Sequence, residues 1–201
     1  MPELAYSPAC ERNKAPILAI LETVLNRRES VLEIGSGTGQ HAVHFASHLP
    51  HLTWRPTDIP PYLGALRARI DVEGPPNCAA PAELDVRSAG WHAERVSAVY
   101  TANTFHIMSW ACAEAFFRGV GRVLAPDGVL LVYGPFRYGG RYTSPSNAAF
   151  DASLRARDAD SGIRNFEAVD ELAVAEGLSL TADHAMPANN QLLVWERSAN
   201  S

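Results

Sequence analysis

The sequence predicts a three-layer α/β domain on a mostly parallel sheet, and three observations carry that reading. Apolar strand-like runs alternate with helix-like stretches through most of the chain. Three glycines at alternate positions follow the first such run, where a strand turns into a helix. The last two strand-like runs are separated by "PANN", a turn short enough for an antiparallel pair. In such a sheet, right-handed crossovers place ligand sites at the carboxyl ends of the strands.

The elements follow in order. Pro16 stands near the start of a first helix, whose apolar positions Ile17, Leu18, Ile20, Leu21, Val24 and Leu25 share one face. "SVLEI" reads as a short buried strand and "TGQHAVHFASHL" as the helix after it. "LTWRPTD" and "YLGALRARID" repeat the strand–helix pair, "AAPAELDV" gives a third strand and "VSAVYTAN" a fourth. "SWACAEAFFRGVGRVL" is a long helix stopped by the Pro–Gly turn "APDG". "VLLVYG" is the most apolar strand and suits the middle of a parallel sheet. From Pro135 to Asn165 the rhythm breaks into a segment rich in Gly, Arg, Ser, Pro and Asn, with a short helical stretch near "SNAAFDASLRARD". "EAVDELAVAEG" is then a helix stopped by Gly177, and "LSLTADHAM" and "QLLVWER" are the final strands.

Composition bounds the function. A chain of 201 residues with these elements is expected to form one domain with an adequate core, here spanning 1–201, with 1–29 as an N-terminal segment and helix. No apolar run spans a membrane, and the first residues lack the apolar stretch of a signal peptide, so a cytoplasmic protein is expected. A formal charge of −5 argues against a nucleic-acid partner. Cys10, Cys78 and Cys112 are far apart, without a CxxC pair, and read as reduced cysteine. His41, His44, His48 and His51 recur at helical spacing, but neither an HExxH pattern nor a carboxylate set accompanies them, and no metal site is expected.

The glycine loop carries the chemistry. Glu33 ends the first strand, and Gly35, Gly37 and Gly39 follow with Ser36 and Thr38 between them. A dinucleotide fingerprint would be GxGxxG, but the sixth position counted from Gly35 is Gln40. The pattern ExGxGxG instead resembles that of class I S-adenosylmethionine-dependent methyltransferases. Without side chains at Gly35 and Gly37, the backbone can pass against the amino-acid and ribose part of that cofactor. Glu33, behind the loop, would act through bound water, or through the loop amides and the cofactor's ammonium group. Asp58 ends the second strand, where an acid can accept from ribose hydroxyls. Asp85 ends the third, and the resemblance implies that it contacts the adenine amino group. A turn or cap aspartate is the simpler reading of each taken alone. "VLAPDGVLLVYGP" resembles the "LxPGGxLxxxxP" helix-turn-strand of the same enzymes.

At finer grain the chain resembles an uncharacterised methyltransferase-like family, the methyltransferase-like twenty-six group, built on a domain of unknown function. The resembling stretches are "SPACERNKAPIL", "VLEIGSGTGQHAVHFA", "LTWRPTD", "NTFHIMSW", "YGPFRYGG" and "MPANNQLLVW", spread from Ser7 to Trp195. The resemblance implies a Rossmann-like methyltransferase fold, with a seven-stranded, mostly parallel sheet and a C-terminal antiparallel hairpin. It implies S-adenosyl-L-methionine as cofactor, bound by Glu33, Gly35, Ser36, Gly37, Thr38, Gly39, Asp58, Asp85 and Asn103. It supplies no methyl acceptor.

Residues beyond the cofactor loop stay open between roles. Asn103 follows the fourth strand, where it would hydrogen-bond the nucleophile or the cofactor's methionyl part, or cap the next helix. "NTFH" keeps only the Asn of the "NPPY" typical of amino-group methyltransferases, which sets nucleic-acid and glutamine acceptors aside. His106 reads either as a general base or as a satisfied structural histidine. Methyl transfer from a sulfonium is an in-line displacement in which positioning supplies much of the catalysis, so a base is optional. Tyr6, Arg12 and Asn13, ahead of the first helix, read as a capping segment or as a flap with substrate contacts. The irregular segment 135–165 reads as a substrate lid holding Phe136, Arg137, Tyr138, Arg141, Tyr142, Asn147 and Arg164, just after Tyr133. Its arginines and tyrosines suit a small substrate bearing a carboxylate or phosphate. Asn189 and Asn190, in the last turn, tolerate left-handed backbone or border the pocket. The function expected is methyl transfer to a small molecule. A non-catalytic cofactor-binding protein and an NAD-dependent oxidoreductase stand as alternatives.

Overall fold

In the computed structural model, which describes residues 4–91 and 94–198, "SVLEI" forms the central strand β1 (Ser30–Ile34). Val31 to Ile34 are all buried, as expected of a parallel strand covered on both faces. The chain divides into two compact units, one running to Asp85 and including Val96–Thr101, the other comprising Val86–Arg95 and the chain from Ala102 onward.

In the first unit β1 lies between β2 (Thr53–Asp58) and β4 (Val96–Ala102), parallel to both, with Ser30 opposite Thr53 and Val31 opposite Ala98. Around it pack α1 (Pro8–Val24), α2 (Gln40–His48) and α3 (Pro60–Glu73). Leu21, Phe45, Trp54, Val99 and Tyr100 are fully buried in this core. Two elements differ from expectation. Helix α1 starts eight residues before Pro16, because Ser7 caps it by accepting from the Cys10 N–H at 3.3 Å and Pro8 takes the first turn. Pro16 therefore lies inside the helix, and Arg12 and Asn13 belong to α1 rather than to a segment before it. The third strand, β3 (Ala82–Glu83), is only two residues long, paired to β2 through Thr57 opposite Ala82. Both its residues are exposed, and Pro81 before it has no N–H to give a ladder.

In the second unit, Ser109 caps α4 (Trp110–Val123) through the Cys112 N–H. The chain then turns through Asp127, in the left-handed region at φ 59°, into the paired part of β5 (Leu124–Gly134). After it come β6 (Phe136–Tyr138), β7 (Arg141–Tyr142), α5 (Pro145–Arg157), β8 (Arg164–Asn165), α6 (Phe166–Ala175), β9 (Leu178–Met186) and β10 (Asn190–Arg197). Strand β10 is antiparallel to both β9 and β5, with Asn190 opposite Met186 and Gln191 opposite Gly134, which is the C-terminal hairpin the sequence predicts.

The segment 135–165 is more regular than its composition suggests. Strands β7, β6 and β8 form a small second sheet, and α5 spans thirteen residues. A polar hub organises it: the buried Asp151 carboxylate accepts from the Tyr142 hydroxyl at 2.7 Å, from Arg155 Nε at 2.8 Å and from the Ile163 N–H. Apolar periodicity does not reveal such an anchor. The fold is α/β, with a seven-stranded, mostly parallel sheet in the order β3-β2-β1-β4-β5-β10-β9 ending in antiparallel C-terminal strands.

Candidate functional site

The loop joining β1 to α2 alternates left-handed glycines: φ is 73° at Gly35, 55° at Gly37 and 75° at Gly39. L side chains rarely adopt this region, so the three glycines answer a geometric need. The loop is pinned from behind by the end of β2. The N–H groups of Gly35 and Ser36 both donate to the Thr57 carbonyl at 3.0 Å, and the Gly37 N–H donates to Asp58 Oδ2 at 2.7 Å. The Thr57 hydroxyl donates to the Glu33 carbonyl at 2.7 Å, and its N–H donates to Ser36 Oγ at 3.2 Å.

The two sides of the loop differ. A Cβ on Gly39 would lie 3.0 Å from Leu66 Cδ1 and 3.2 Å from Arg69 Cδ, so this glycine permits close packing of α3. A Cβ on Gly37 would meet nothing within 4 Å. Bare backbone thus faces open space at Gly37, and the residues fit an S-adenosylmethionine-like ligand that needs close approach to the main chain.

The acids lie where the sequence puts them, with one shift. Asp58, 6 % exposed, accepts from the Gly37 and Ile59 N–H groups through different oxygens, and burial raises its pKa. Each oxygen keeps a further lone-pair direction for a hydroxyl donor. Glu33 is 2 % exposed and accepts from Trp54 Nε1 at 2.8 Å. Burial pushes its pKa up to about 7, against the hydrogen bonds from Trp54 and Ser36. Asp85 falls two residues beyond β3 instead of at its end, half-buried, while the Leu84 N–H donates to the Asp58 carbonyl at 3.0 Å.

Two residues that the sequence reading missed tie the chain's first residues to this loop. Gln40 Oε1 accepts from the Ser7 N–H at 2.6 Å and the Thr38 hydroxyl at 3.0 Å. Arg69, 8 % exposed, donates to the Thr38 carbonyl at 2.8 Å and the Ala5 carbonyl at 2.7 Å, and pairs with Glu73 at 2.5 Å. The one available signal was Gln40 itself, a polar residue where a dinucleotide loop would carry glycine. Of the three N-terminal candidates, Tyr6 and Arg12 are exposed, whereas Asn13 is buried with Oδ1 2.7 Å from His41 Nε2. Burial holds His41 neutral, with its pKa lowered to about 3. His48 Nδ1 lies 2.7 Å from the His44 carbonyl and His51 Nε2 3.0 Å from the Leu25 carbonyl. His41, His48 and His51 thus serve separate local bonds, and His44 Nε2 is buried without a partner among the described residues. Among the described residues no group of three or more His, Cys, Asp or Glu is arranged to hold a metal ion.

The second unit holds the other candidates. Asn103 has φ 59°, its N–H donates to the Tyr133 carbonyl at 2.8 Å, and it does not cap the next helix, since Ser109 does. His106, 6 % exposed, has its ring 5.3 Å from that of Phe150; burial, then Arg164 and Arg157, lower its pKa to about 4. Arg164 donates to the carbonyls of Phe105 at 2.9 Å, of Asp160 at 2.7 Å and of Met108, and so holds the turn on which His106 sits. Asn147 Nδ2 donates to Thr143 Oγ1 at 2.8 Å and to the Asn189 carbonyl at 2.9 Å, while Asn189 is left-handed at φ 58°. Phe136 is fully buried, Arg137 lies 5.5 Å over the Tyr142 ring, and the Tyr138 hydroxyl donates to Asp183 at 2.7 Å. Arg141 of β7 pairs with Tyr138 of β6, and Asn190 Nδ2 donates to the Pro187 carbonyl at 3.1 Å.

This strand order and loop define a Rossmann-like fold of the methyltransferase class. Among solved structures it is similar to an O-methyltransferase family protein from Burkholderia thailandensis (TM-score 0.84, 18 % identity, 96 % of this chain and 58 % of that one). It is similar also to human N-acetylserotonin methyltransferase in complex with SAM (TM-score 0.77, 12 % identity, 94 % and 53 %). A third is the S-adenosylmethionine-dependent methyltransferase SibL in its apo form (TM-score 0.78, 21 % identity, 94 % and 56 %). The chain spans a little over half the length of these proteins, and at such identities the likeness shows the fold. The chain belongs to the family DUF938, described as proteins of unknown function, whose model matches residues 4–197. Among the described residues no helix is long and apolar enough to cross a membrane.

Proposed function

We propose that the glycine loop binds S-adenosyl-L-methionine and that the protein transfers a methyl group to a small molecule. The observation that carries this is Gly37: left-handed, bare, facing open space and held from behind by Asp58, while Thr57 holds Gly35 and Ser36 beside it. The cofactor supplies a methyl group already activated on a sulfonium, so the protein's task is chiefly to bind, orient and exclude water. Gly35, Ser36, Gly37, Thr38 and Gly39 would line its amino-acid end and Asp58 its ribose hydroxyls. Asp85 would meet the adenine amino group, and Asn103 the methionyl part or the acceptor. His106, held neutral, is the residue proposed to take a proton from the acceptor. Tyr6, Arg12, Tyr133, Arg137 and the 135–165 segment as lid remain the proposed acceptor surroundings. Gln40, locked to Ser7 and Thr38, occupies the place of a dinucleotide loop's last glycine and speaks against the NAD reading. The quoted stretches also support kinship with the methyltransferase-like twenty-six group.

Calorimetric titration with S-adenosylhomocysteine tests the site. Asp58→Ala and Gly37→Val are each expected to weaken binding at least about tenfold, since each removes a built contact or fills the space. Unchanged binding in both variants refutes the assignment.

A further inference from the structure

We propose that the second unit carries a binding pocket for a small aromatic carboxylate bearing a hydroxyl group, formed by His106, Ile107, Phe150, Leu154, Arg157 and Ser161. The cavity measures about 280 Å³. Two large apolar side chains that would normally be covered stand open at it, Ile107 at 58 % and Phe150 at 37 % exposure. Leu154 is buried against the same space, and the Phe150 ring meets that of His106 nearly edge-on, at 68°. An aromatic ligand completes such a set, since rings pack favourably edge-to-face and offset.

The polar groups specify the rest of the ligand. His106 lines the pocket more than nine-tenths buried, and no partner among the described residues occupies its ring nitrogens. A neutral imidazole keeps an acceptor nitrogen, to which a ligand hydroxyl can donate. The position is well fixed, because the Gly162 N–H donates to the His106 carbonyl at 2.9 Å and Arg164 holds the carbonyls of Phe105 and Met108. Ser161 Oγ is committed to the Ile107 carbonyl at 2.8 Å and to Asp158, whose other oxygen accepts from the Asp160 N–H. Arg157, which also lines the pocket, differs: only its Nε is engaged, with the Ser153 carbonyl at 3.2 Å, and its two terminal nitrogens have no partner among the described residues. A planar guanidinium fork matches a carboxylate. The second arginine near His106, Arg164, is spent on backbone carbonyls, which leaves one cation and favours a singly charged acid over a phosphate.

That this ligand is the methyl acceptor rests on the reading of the preceding section; that the pocket binds it does not. The test titrates the protein with 4-hydroxybenzoate, benzoate and phenol by calorimetry, with and without saturating S-adenosylhomocysteine. 4-Hydroxybenzoate is expected to bind about tenfold more tightly than either probe lacking one group. Arg157→Gln, at an exposed position, should erase its advantage over phenol while leaving phenol binding intact. Phe150→Ala should weaken all three, with folding checked by circular dichroism. No binding of 4-hydroxybenzoate in either state, or binding unchanged in both variants, overturns the proposal. Failure of S-adenosylhomocysteine alone to bind overturns the cofactor reading and leaves this one standing.

Discussion

Replacing Glu33 by Gln is expected to stabilise the protein at alkaline pH and to matter far less under mildly acidic conditions. The carboxyl is 2 % exposed, and its pKa stands near 7 in the folded chain against an ordinary 4.5. The native state therefore holds this proton more tightly than the unfolded state, so stability falls as pH rises between those values. At 1.36 kcal/mol per pH unit, the loss completed above pH 7 is about 3 kcal/mol. Most of the Trp54 bond survives in the variant, because a Gln Oε1 still accepts from the indole N–H. The assay is urea unfolding followed by tryptophan fluorescence, for both proteins, at pH 5 and pH 8. The stability gap should move in favour of Gln by about 2.5 kcal/mol from the lower to the higher pH, with the urea slope unchanged. A gap of the same size at both values would mean that Glu33 ionises normally in the fold, and the reasoning fails.

The two loop glycines should separate stability from binding. Gly37→Ala has room for its Cβ, so thermal unfolding should reveal only the left-handed penalty of about 1–2 kcal/mol, while S-adenosylhomocysteine affinity falls at least about tenfold. Gly39→Ala carries the same penalty plus a Cβ 3.0 Å from Leu66, and should show the larger fall in melting temperature. Asp151→Asn removes the charge that Arg155 and Tyr142 bond and should cost about 2–3 kcal/mol at pH 7 by urea unfolding. Burial works to raise the Asp151 pKa, but Arg155, Tyr142 and the Ile163 N–H hold it below the ordinary 3.8, so that loss should shrink as pH falls through this range.

The parts legible in the sequence are those written in local pattern. The strand "SVLEI", the alternate glycines and the C-terminal hairpin all follow from periodicity and turn chemistry. What escaped depends on partners distant in sequence or on polar anchors. Helix α1 begins at Pro8 because Ser7 caps it, and Pro16 misled since a helix interior tolerates it here. The order of α5 rests on Asp151, a charged residue that hydropathy reads as surface. Arg69 lies thirty-one residues from the Thr38 carbonyl it holds, and nothing in "LRARID" distinguishes it from its exposed neighbour Arg67.

That clasp bears on how the loop would bind under the proposed function. Its shape is set by the protein alone: Thr57 and Asp58 hold one side, and Arg69 and Gln40 tie Thr38 to Ala5 and Ser7. A loop already ordered spares the ligand the cost of ordering it. The same arrangement limits how Asp58 can be used. Pulling the Gly37 N–H off Oδ2 would orphan a donor and release the loop's tip, which a ligand would have to replace in full. A diol donating to the remaining lone pairs needs no such exchange and leaves both existing bonds in place. The low-cost ligand is thus one that brings hydroxyl donors to Asp58 and otherwise lies against bare backbone at Gly37, which is the chemistry of a ribose joined to a slender amino-acid arm.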